Sequence, residues 1–435
     1  MKSLLAKASE VLETNWREGY TIPCAHLYPF QWNWDSGFIA IGWAHINIER
    51  AQQEIVSLLK GQWSNGFLPH IVFHKEAHSY FPGPEVHAAH LSPNAPHVKT
   101  SGITQPPVAG FVLEEMYQIS GESKESLAFI STVYDSVFMN HHYFYTSRDP
   151  NNEGLVYICH NWEAGTDNTP VWDEIWKNFT VPEYQLKRKD TELIDASHRP
   201  TNREYDYYIH LIELFKSWNY DDNLIASKSP FLVQDPLFNS VLIKSNESLI
   251  RLGKLLGKMD KVTQLKQWNE LAKHGMNSKL YSEEKGGYVY YDLRNNCKLN
   301  HLSSSSFAPL FAGVPTPNIA RQISADLKSG RFGGAHQENY LCASFDPTSP
   351  LFESQKYWRG PIWINLNWMI YKGLLRYGFH DVAQEVKNHS LFFMEKYGFY
   401  EYFEPSKSKN LKLHKGYGGS DFSWSAALTI DFIKK

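Results

Sequence analysis

The segment Asn161-Trp-Glu-Ala-Gly-Thr-Asp-Asn-Thr-Pro-Val-Trp-Asp173 places three acidic residues, two tryptophans and a glycine within thirteen positions. A carboxyl group beside an indole ring can lose its hydration, which raises its pKa and keeps it protonated near neutral pH. A general acid requires a proton held in this way. Asp167 is the candidate, although Asp167 or Thr169 could equally cap a helix predicted to begin near Pro170.

A second acidic segment, Phe399-Tyr-Glu-Tyr-Phe-Glu-Pro405, lies near the C-terminus. Glu401 and Glu404 stand in an aromatic run, where solvated glutamates are unexpected. A glycosidase that inverts configuration needs two carboxyl groups, one to protonate the leaving oxygen and one to activate a water. A short strand with outward-facing acids would show the same pattern, so this segment alone leaves both interpretations open.

Two tryptophan-rich segments, Gln31-Trp-Asn-Trp-Asp-Ser-Gly37 and Tyr357-Trp-Arg-Gly-Pro-Ile-Trp-Ile-Asn365, each start a predicted helix. The C–H faces of a sugar ring are apolar and its hydroxyls are polar, so carbohydrate pockets combine aromatic walls with carboxylates. Asp35 could accept hydrogen bonds from two hydroxyls while Trp32 or Trp34 supplies a platform for the ring. Both segments therefore indicate a sugar site.

Six histidines fall within 28 residues and raise the question of a metal site: His70, His74, His78, His87, His90 and His97. None shows the helical His-Glu-x-x-His spacing, and the proline-rich context does not predict a fixed coordination geometry. A structural or sugar-contacting role is favoured. We predict no metal ion and no cofactor.

The elements that must position these residues are mostly helical. Apolar residues recur at helical spacing in 2–16, 36–60, 105–120, 123–145, 203–217, 237–256, 259–281, 303–311, 316–328, 361–377, 380–396 and 421–433. Strand-like runs are confined to 154–159 and 287–292. Because βα alternation is missing, a Rossmann or TIM-type sheet is disfavoured. The pattern fits an irregular bundle or helix pairs closed into a ring.

Two long segments, about 62–104 and 146–202, are rich in Pro, His, Asn and Trp and show little periodicity. Long ordered loops in a compact domain usually belong to binding sites. No flexible linker divides the chain, so residues 1–435 are predicted to form a single domain whose active site is built from these loops.

Composition excludes several classes of function. The 435-residue chain has 43 basic and 46 acidic residues and a net charge of -3, with no basic stripe for nucleic acid. Residues 1–16 carry charges and predict neither a secretory signal nor a membrane span. The four dispersed cysteines indicate free thiols in a reducing compartment. We expect a soluble cytoplasmic protein with a small-molecule partner, and homo-oligomerisation stays open.

Six segments together resemble glycoside hydrolase family 63, and they run in family order over nearly the whole chain. They are Gln31-Trp-Asn-Trp-Asp35, Thr100-Ser-Gly-Ile-Thr-Gln-Pro-Pro107, Gly165-Thr-Asp-Asn-Thr-Pro170, Tyr357-Trp-Arg-Gly-Pro-Ile-Trp363, Tyr400-Glu-Tyr-Phe-Glu-Pro405 and Phe422-Ser-Trp-Ser-Ala-Ala427. The resemblance implies an all-α fold, an (α/α)6 toroid, and hydrolysis of α-glycosides with inversion. It implies Asp167 as general acid and Glu401 as general base, with Glu404 the weaker candidate.

The length refines this resemblance. The chain has no room for the N-terminal β-domain of larger members and is similar to small bacterial members that hydrolyse mannosylglycerate or glucosylglycerate. Such an aglycone requires a cation for its carboxylate, and an arginine fork suits that role. We predict that Arg203 binds the aglycone carboxylate, although Arg199 and the tyrosines at 205, 207 and 208 lie nearby.

The predicted substrate-binding residues are Tyr28, Trp32, Trp34, Asp35, Gln105, Trp162, Gly165, Arg203, Tyr208, Trp358, Arg359 and Trp363. For Arg359, a salt bridge that fixes its loop is the favoured role. An exo-α-glucosidase acting on a neutral disaccharide or oligosaccharide is the main alternative. More remote are a sugar epimerase of the same fold, with histidines as acid and base, and a catalytically silent sugar-binding protein.

Overall fold

The structure is a computed structural model that describes residues 2–76, 80–328, 331–332, 341–405 and 416–435. Helices dominate these residues. They are α1 Lys2–Asn15, α2 Asn33–Ala44, α3 Ile48–Leu59, α4 Pro84–His87, α5 Ala109–Ile119, α6 Lys124–Ser147, α7 Trp172–Trp176, α8 Asp190–Leu193, α9 Asn202–Ser217, α10 Asp222–Lys228, α11 Pro236–Leu255, α12 Met259–Gly275, α13 Ala308–Ala312, α14 Pro317–Lys328, α15 Ile364–Arg376, α16 His380–Tyr397 and α17 Ser423–Lys434.

Six of these helices form a closed inner ring. In order around the ring, α2, α5, α11, α13, α15 and α17 each pack against the next, and α17 returns to α2. An outer layer surrounds them, in which α3, α6, α12, α16 and α1 pack on α2, α5, α11, α15 and α17 respectively. The amphipathic α14, which follows α13, completes this layer by burying Ala320, Ile323 and Leu327. This is the (α/α)6 toroid expected from the sequence.

The two layers differ in how their sequences are patterned. Inner helix α2 is buried along its whole length from Asn33 to Trp43. Outer helix α3 buries one stripe, which includes Ala51, Ile55 and Leu58. A helix that is apolar on all sides belongs in a core, whereas a single apolar stripe covers one. Burial pattern therefore assigns each helix to its layer.

Most predicted helices are present, with ends moved by a few residues. The segment 36–60 was expected to be one helix, but it is divided into α2 and α3. The division follows from Asn47, whose side chain accepts the Arg50 N–H at 3.1 Å and caps α3. Short helices α4, α7 and α8 lie within the two segments expected to be loops.

Strands are short. They are β1 Trp16–Arg17, β2 Tyr20–Thr21, β3 Gln31–Trp32, β4 Ile71–Val72, β5 Val233–Gln234, β6 Tyr281–Ser282, β7 Gly287–Tyr288, β8 Tyr290–Asp292, β9 Cys297–Leu299, β10 Tyr400–Phe403 and β11 Gly416–Ser420. They pair antiparallel as β1–β2, β3–β4, β5–β8–β9, β6–β7 and β10–β11.

The predicted strand at 287–292 is confirmed as β7 and β8, but the strand predicted at 154–159 is wrong. That run makes a single bridge, between Ile158 and Val233. The Asn239 side chain on α11 binds both the N–H and the carbonyl of Val156, each at 2.9 Å. The run is therefore buried against a helix, which its apolar character alone did not distinguish from sheet pairing. Within the described ranges, no helix is long and apolar enough to cross a membrane.

Candidate active site

Asp167 follows the 3₁₀ turn Asn161–Ala164 and the glycine that ends it. Gly165 has a φ of +73°, and a Cβ there would lie 2.5 Å from the Trp34 ring. Glycine is thus required both by the left-handed backbone and by the close approach of the indole. The Asn161 amide donates to the Asp167 carbonyl at 2.8 Å, which holds the acidic residue beside the first turn of α2.

Glu401 projects from β10, opposite an irregularity in β11. There β11 has an extra residue, which turns the Gly419 N–H toward the Glu401 carboxylate at 3.0 Å. Gly418 has a φ of +73°, and a Cβ at that position would collide with Glu401. The Tyr28 hydroxyl donates to the other carboxylate oxygen at 2.9 Å. Gly418 and Gly419 therefore allow the backbone to approach the Glu401 carboxylate and to donate a hydrogen bond to it.

Asp167 and Glu401 line the same open cavity, which has a volume of about 800 Å³ when the solvent space at its mouth is included. It lies at the N-terminal ends of α2, α5, α15 and α17. Nine predicted substrate-binding residues line it as well: Tyr28, Trp32, Trp34, Asp35, Gln105, Trp162, Gly165, Trp358 and Trp363. Its size and mixed polar and aromatic lining suit a small sugar derivative.

Indole rings form much of the wall. The Trp358 and Trp363 rings are stacked with centroids 3.6 Å apart and an interplanar angle of 5°. Trp34 meets Trp424 edge to face at 5.7 Å. Asp35 lies among them, and burial raises the pKa of its carboxyl well above the ordinary value. Rigid rings beside a carboxyl group give the apolar platform and the polar anchor that a sugar needs.

A buried arginine completes the cavity. Arg199 Nε donates to Asp190 Oδ2 at 3.0 Å, and its Nη1 lies 3.9 Å from Glu401 Oε2. Its guanidinium stacks over the Tyr357 ring at 4.1 Å. Among the described lining residues, the other cationic side chain is Lys189. The cavity thus places one fixed positive charge beside a pair of carboxyl groups.

Comparison with known protein families shows to which family the chain belongs. Residues 28–425 match the family model described as the mannosylglycerate hydrolase MGH1-like glycoside hydrolase domain. The chain belongs to this glycoside hydrolase family. The prediction of a glycoside hydrolase is thereby confirmed.

Similar proteins cover the chain almost completely. A mannosylglycerate hydrolase of Thermus thermophilus is 39% identical over 98% of this chain and 99% of its own length. A glucosylglycerate hydrolase of Mycolicibacterium hassiacum is 33% identical over 99% and 97%. A crystal structure of a family 63 mannosylglycerate hydrolase from Thermus thermophilus, in complex with Tris and D-glycerate, superposes with a TM-score of 0.90. It is 38% identical and covers 99% of this chain and 100% of its own.

The two carboxyl groups of this hydrolase sit in different environments. The pKa of Asp167 is raised to about 7, chiefly by burial, while Arg199 opposes this rise and Glu401 adds to it. Burial also raises the pKa of Glu401, but Arg199, the Gly419 N–H and the Tyr28 hydroxyl oppose that rise. Asp167 is thus prepared to hold a proton near neutral pH, while the contacts of Glu401 favour its ionised form.

Glu404, the weaker candidate for the base, is not among the residues that line the cavity. Its carboxylate accepts hydrogen bonds from the side chains of Ser354, Gln355 and Tyr417 at 3.0–3.3 Å. These bonds tie the loop before the Tyr357–Arg359 turn to β10 and β11. The geometry therefore favours Glu401 over Glu404.

Three predicted substrate-binding residues lie outside the cavity lining. Arg203 sits in the first turn of α9 with 49% of its side chain exposed, paired with Asp206 at 3.4 Å. Tyr208 is buried behind the wall and packs edge to face on Trp162 at 5.4 Å. Arg359 is bound to Asp173 and Glu353, so it has the loop-fixing role favoured by the sequence.

The helical period explains why Arg203 points away. On α9, residue 203 shares a face with Asp206 and Tyr207, and the Arg203 guanidinium stacks over the Tyr207 ring at 4.9 Å. Tyr205 lies on another face and reaches the cavity. Arg199, four residues before Arg203, precedes the helix and enters the cavity instead.

Two of the six histidines that suggested a metal site lie close together, with the His70 and His87 ring centroids 5.7 Å apart. His70 lines the cavity, bonds to the Ser101 hydroxyl at 2.7 Å and lies nearly parallel to the Trp162 ring at 6.3 Å. His78 lies outside the described residues. Among residues that the structure does describe, no three His, Cys, Asp or Glu side chains are arranged to hold a metal. His70 thus belongs to the aromatic wall.

Several lining residues were not predicted: Tyr80, Phe81, Lys189, Asp190, Leu193, Tyr357, Phe422 and Trp424. Tyr357, Phe422 and Trp424 belong to segments already quoted for the family resemblance, so the motif itself was a signal for them. Asp190 and Leu193 are the two ends of α8, in a stretch with little periodicity. No local pattern distinguished them from ordinary loop residues.

A buried ion pair anchors the Asp167 segment from behind. Arg148, after α6, contacts the Glu163 carboxylate at 3.2 and 3.4 Å. The same carboxylate accepts the backbone N–H of Thr104 at 3.2 Å and of Cys159 at 2.7 Å. Glu163 therefore joins the loop that carries Gln105 to the segment that carries the general-acid candidate.

Replacing Glu163 with glutamine should lower the free energy of unfolding by about 3 kcal/mol, because it leaves the buried Arg148 charge without its main partner. Urea denaturation would measure the loss. Glu192→Gln, which breaks the exposed pair with Lys189, is the matched control and should leave the midpoint unchanged. Equal midpoints for the two variants would contradict an anchoring role for Glu163.

Proposed function

We propose that this glycoside hydrolase cleaves the α-glycosidic bond of mannosylglycerate or glucosylglycerate, releasing the free sugar and glycerate with inversion. The observation that carries the proposal is the buried Arg199 guanidinium in the same cavity as Asp167 and Glu401. A carboxylate loses its hydration when it enters such a site, and a charge-assisted bond to arginine replaces it. The names of the relatives support the same substrate class.

The sugar is proposed to lie among Trp32, Trp34, Trp358 and Trp363, with its hydroxyls bound by Asp35 and Gln105. The aglycone lies toward Arg199, Tyr205 and Tyr357. Because the guanidinium stacks on Tyr357, its orientation is fixed before a ligand arrives. This preorganisation limits the entropy lost when the carboxylate is bound.

In the proposed reaction Asp167 begins protonated. It gives its proton to the glycosidic oxygen as the bond to the anomeric carbon breaks, through an oxocarbenium-like transition state. Glu401 begins ionised and takes a proton from the water that attacks the opposite face of the ring. A single displacement of this kind converts an α-linked sugar into the free β-anomer.

The compartment and the partner are proposed from other features. All four cysteines are free, and Cys24, Cys159 and Cys342 are buried. Unpaired thiols of this kind are typical of a reducing compartment, which supports the cytoplasm as the site of the reaction. The cavity provides for a small-molecule glycoside as the partner.

A substrate screen with anomer detection tests the proposal. Mannosylglycerate, glucosylglycerate, kojibiose and trehalose would be supplied in turn, and the first-formed sugar followed by proton NMR. We expect cleavage of at least one glycosylglycerate, with the β-anomer appearing before mutarotation. Preferential cleavage of kojibiose or trehalose would favour the neutral-substrate alternative, and an initial α-anomer would contradict inversion.

A further inference from the structure

Arg199 faces more than the aglycone. Its side chain is only 4% exposed and lies 3.0 Å from Asp190 and 3.9 Å from Glu401. Arg199 and Asp167 line the same cavity, and the guanidinium opposes the rise that burial causes in the pKa of Asp167. One cation therefore touches the general base, acts on the general acid and faces the space where an anionic aglycone would bind.

The other charged and titratable groups around Arg199 and Asp167 determine which group can take up a proton. Besides Arg199, the titratable groups that interact electrostatically with Asp167 are Glu401, Asp35, Tyr80, Tyr205, Tyr208 and Tyr357, of which Tyr208 lies behind the cavity wall. Arg199 also faces Asp190, Arg188, Tyr28 and Tyr402. Burial raises the pKa of each of these phenols, so they stay neutral. Asp35 and Glu401 are the rival proton acceptors.

We propose that the anionic aglycone itself completes the protonation of Asp167: its carboxylate cancels the Arg199 charge, and Asp167 takes one proton from solvent as the ligand binds. This step rests on the proposed function, since it requires a carboxylate on the aglycone. Arg199 is then a specificity-determining residue in two ways. It binds the carboxylate of the correct substrate, and that binding leads to protonation of the general acid Asp167.

The consequence is discrimination in kcat as well as in KM. A neutral glycoside leaves the guanidinium charge uncompensated, so at pH 8 most of Asp167 is ionised and unable to protonate the leaving oxygen. A carboxylate at the distance of a buried neighbour should raise the pKa of Asp167 by about 1.5 units. At pH 8 the fraction of enzyme with a protonated Asp167 then rises several-fold.

The sign of the linkage follows from this rise. A group whose pKa is higher in the complex takes up a proton on binding, so affinity is greatest below the free-enzyme pKa. Affinity for D-glycerate should therefore fall as pH rises through about 7, by about tenfold between pH 6.5 and 8.5. Between the pKa values of the free enzyme and the complex, binding should take up most of one proton per glycerate.

Titration calorimetry of the intact enzyme with D-glycerate, in buffers of different ionisation enthalpy, measures that proton uptake directly. We expect uptake in the wild type and in Asp35→Asn and Glu401→Gln, and none in Asp167→Asn. Binding without uptake in the wild type would overturn the coupling while leaving the glycerate site intact. Absence of glycerate binding would overturn the proposed aglycone, and the coupling with it. Uptake that persists in Asp167→Asn would assign the proton elsewhere and also overturn the proposal.

Steady-state kinetics provide a second test of the coupling between aglycone binding and Asp167 protonation. The alkaline limb of kcat reports the pKa of the acid in the complex, and that of kcat/KM reports the free enzyme. For a glycosylglycerate the kcat limb should lie about 1.5 pH units above the kcat/KM limb. For the matched glycosylglycerol, which lacks the carboxylate, the two limbs should coincide. Equal separations for both substrates would refute a role for the aglycone charge.

Discussion

Replacing Asp167 with asparagine is expected to lower kcat/KM for a glycosylglycerate by about 10³- to 10⁴-fold. Asparagine keeps the size of the side chain but has no proton to give to the glycosidic oxygen. The hydroxyl oxygen of glycerate is a poor leaving group unless it is protonated as the bond breaks. Discontinuous assay of released glycerate would measure the loss.

The nature of the leaving group supplies a sharper comparison. Fluoride departs without protonation, so the α-glycosyl fluoride of the same sugar should lose less than about tenfold in Asp167→Asn. Glu401→Gln cannot activate the water and should lose activity on both substrates. If Asp167→Asn lost as much on the fluoride as on the glycosylglycerate, a proton-donor role would be excluded. A melting temperature close to wild type would show that the variant is folded.

Fold class was accessible from sequence because helical periodicity is a local property. Inner helix α2 is buried along its whole length, whereas outer helix α3 has one buried stripe, so such patterns distinguish a core helix from one that covers it. Ring closure is not local, because α17 packs on α2 from the opposite end of the chain. The toroid was therefore reached through family resemblance, and the structure supplies the contacts that close it.

The catalytic candidates were accessible for a related reason. The local patterns around Asp167 and Glu401 left a helix cap and a strand with outward-facing acids open, and the family resemblance favoured the catalytic roles. The structure adds that Gly165 and Gly418 are required by close contacts. The residues that orient the aglycone carry no such signature. Asp190, at the start of α8, lines the cavity and contacts Arg199, and no sequence pattern near it indicates this role.

The sequence predicted Arg203 as the anchor, although the residues that follow Arg199 contain a local signal that favours Arg199. Thr201 and Glu204 form a capping box, in which the Thr201 hydroxyl accepts the Glu204 N–H at 3.1 Å. A box at these positions places the start of α9 at Asn202. Arg203 then falls in the first helical turn, beside Asp206, and only Arg199 stays in the loop that enters the cavity.

Replacing Arg199 with alanine should therefore lower kcat/KM for a glycosylglycerate by about 10²-fold or more, corresponding to about 3 kcal/mol for a charge-assisted pair. A glycosylglycerol of the same sugar should lose less than about tenfold, because it never used the cation. Arg203→Ala should change neither substrate by more than about twofold, since its side chain is half exposed and bound to Asp206.

The fold should survive the Arg199 replacement. Asp190 keeps a two-pronged bond to Arg188, at 3.0 and 2.7 Å, so removing Arg199 does not leave that carboxylate unpaired. Arg199→Lys keeps the charge but not the fork, and it should recover part of the loss on the anionic substrate only. Equal losses on the anionic and neutral substrates would indicate damage to Glu401, which lies 3.9 Å from the guanidinium. A large loss in Arg203→Ala would return the anchor to α9 and require the aglycone to lie across the mouth of the cavity.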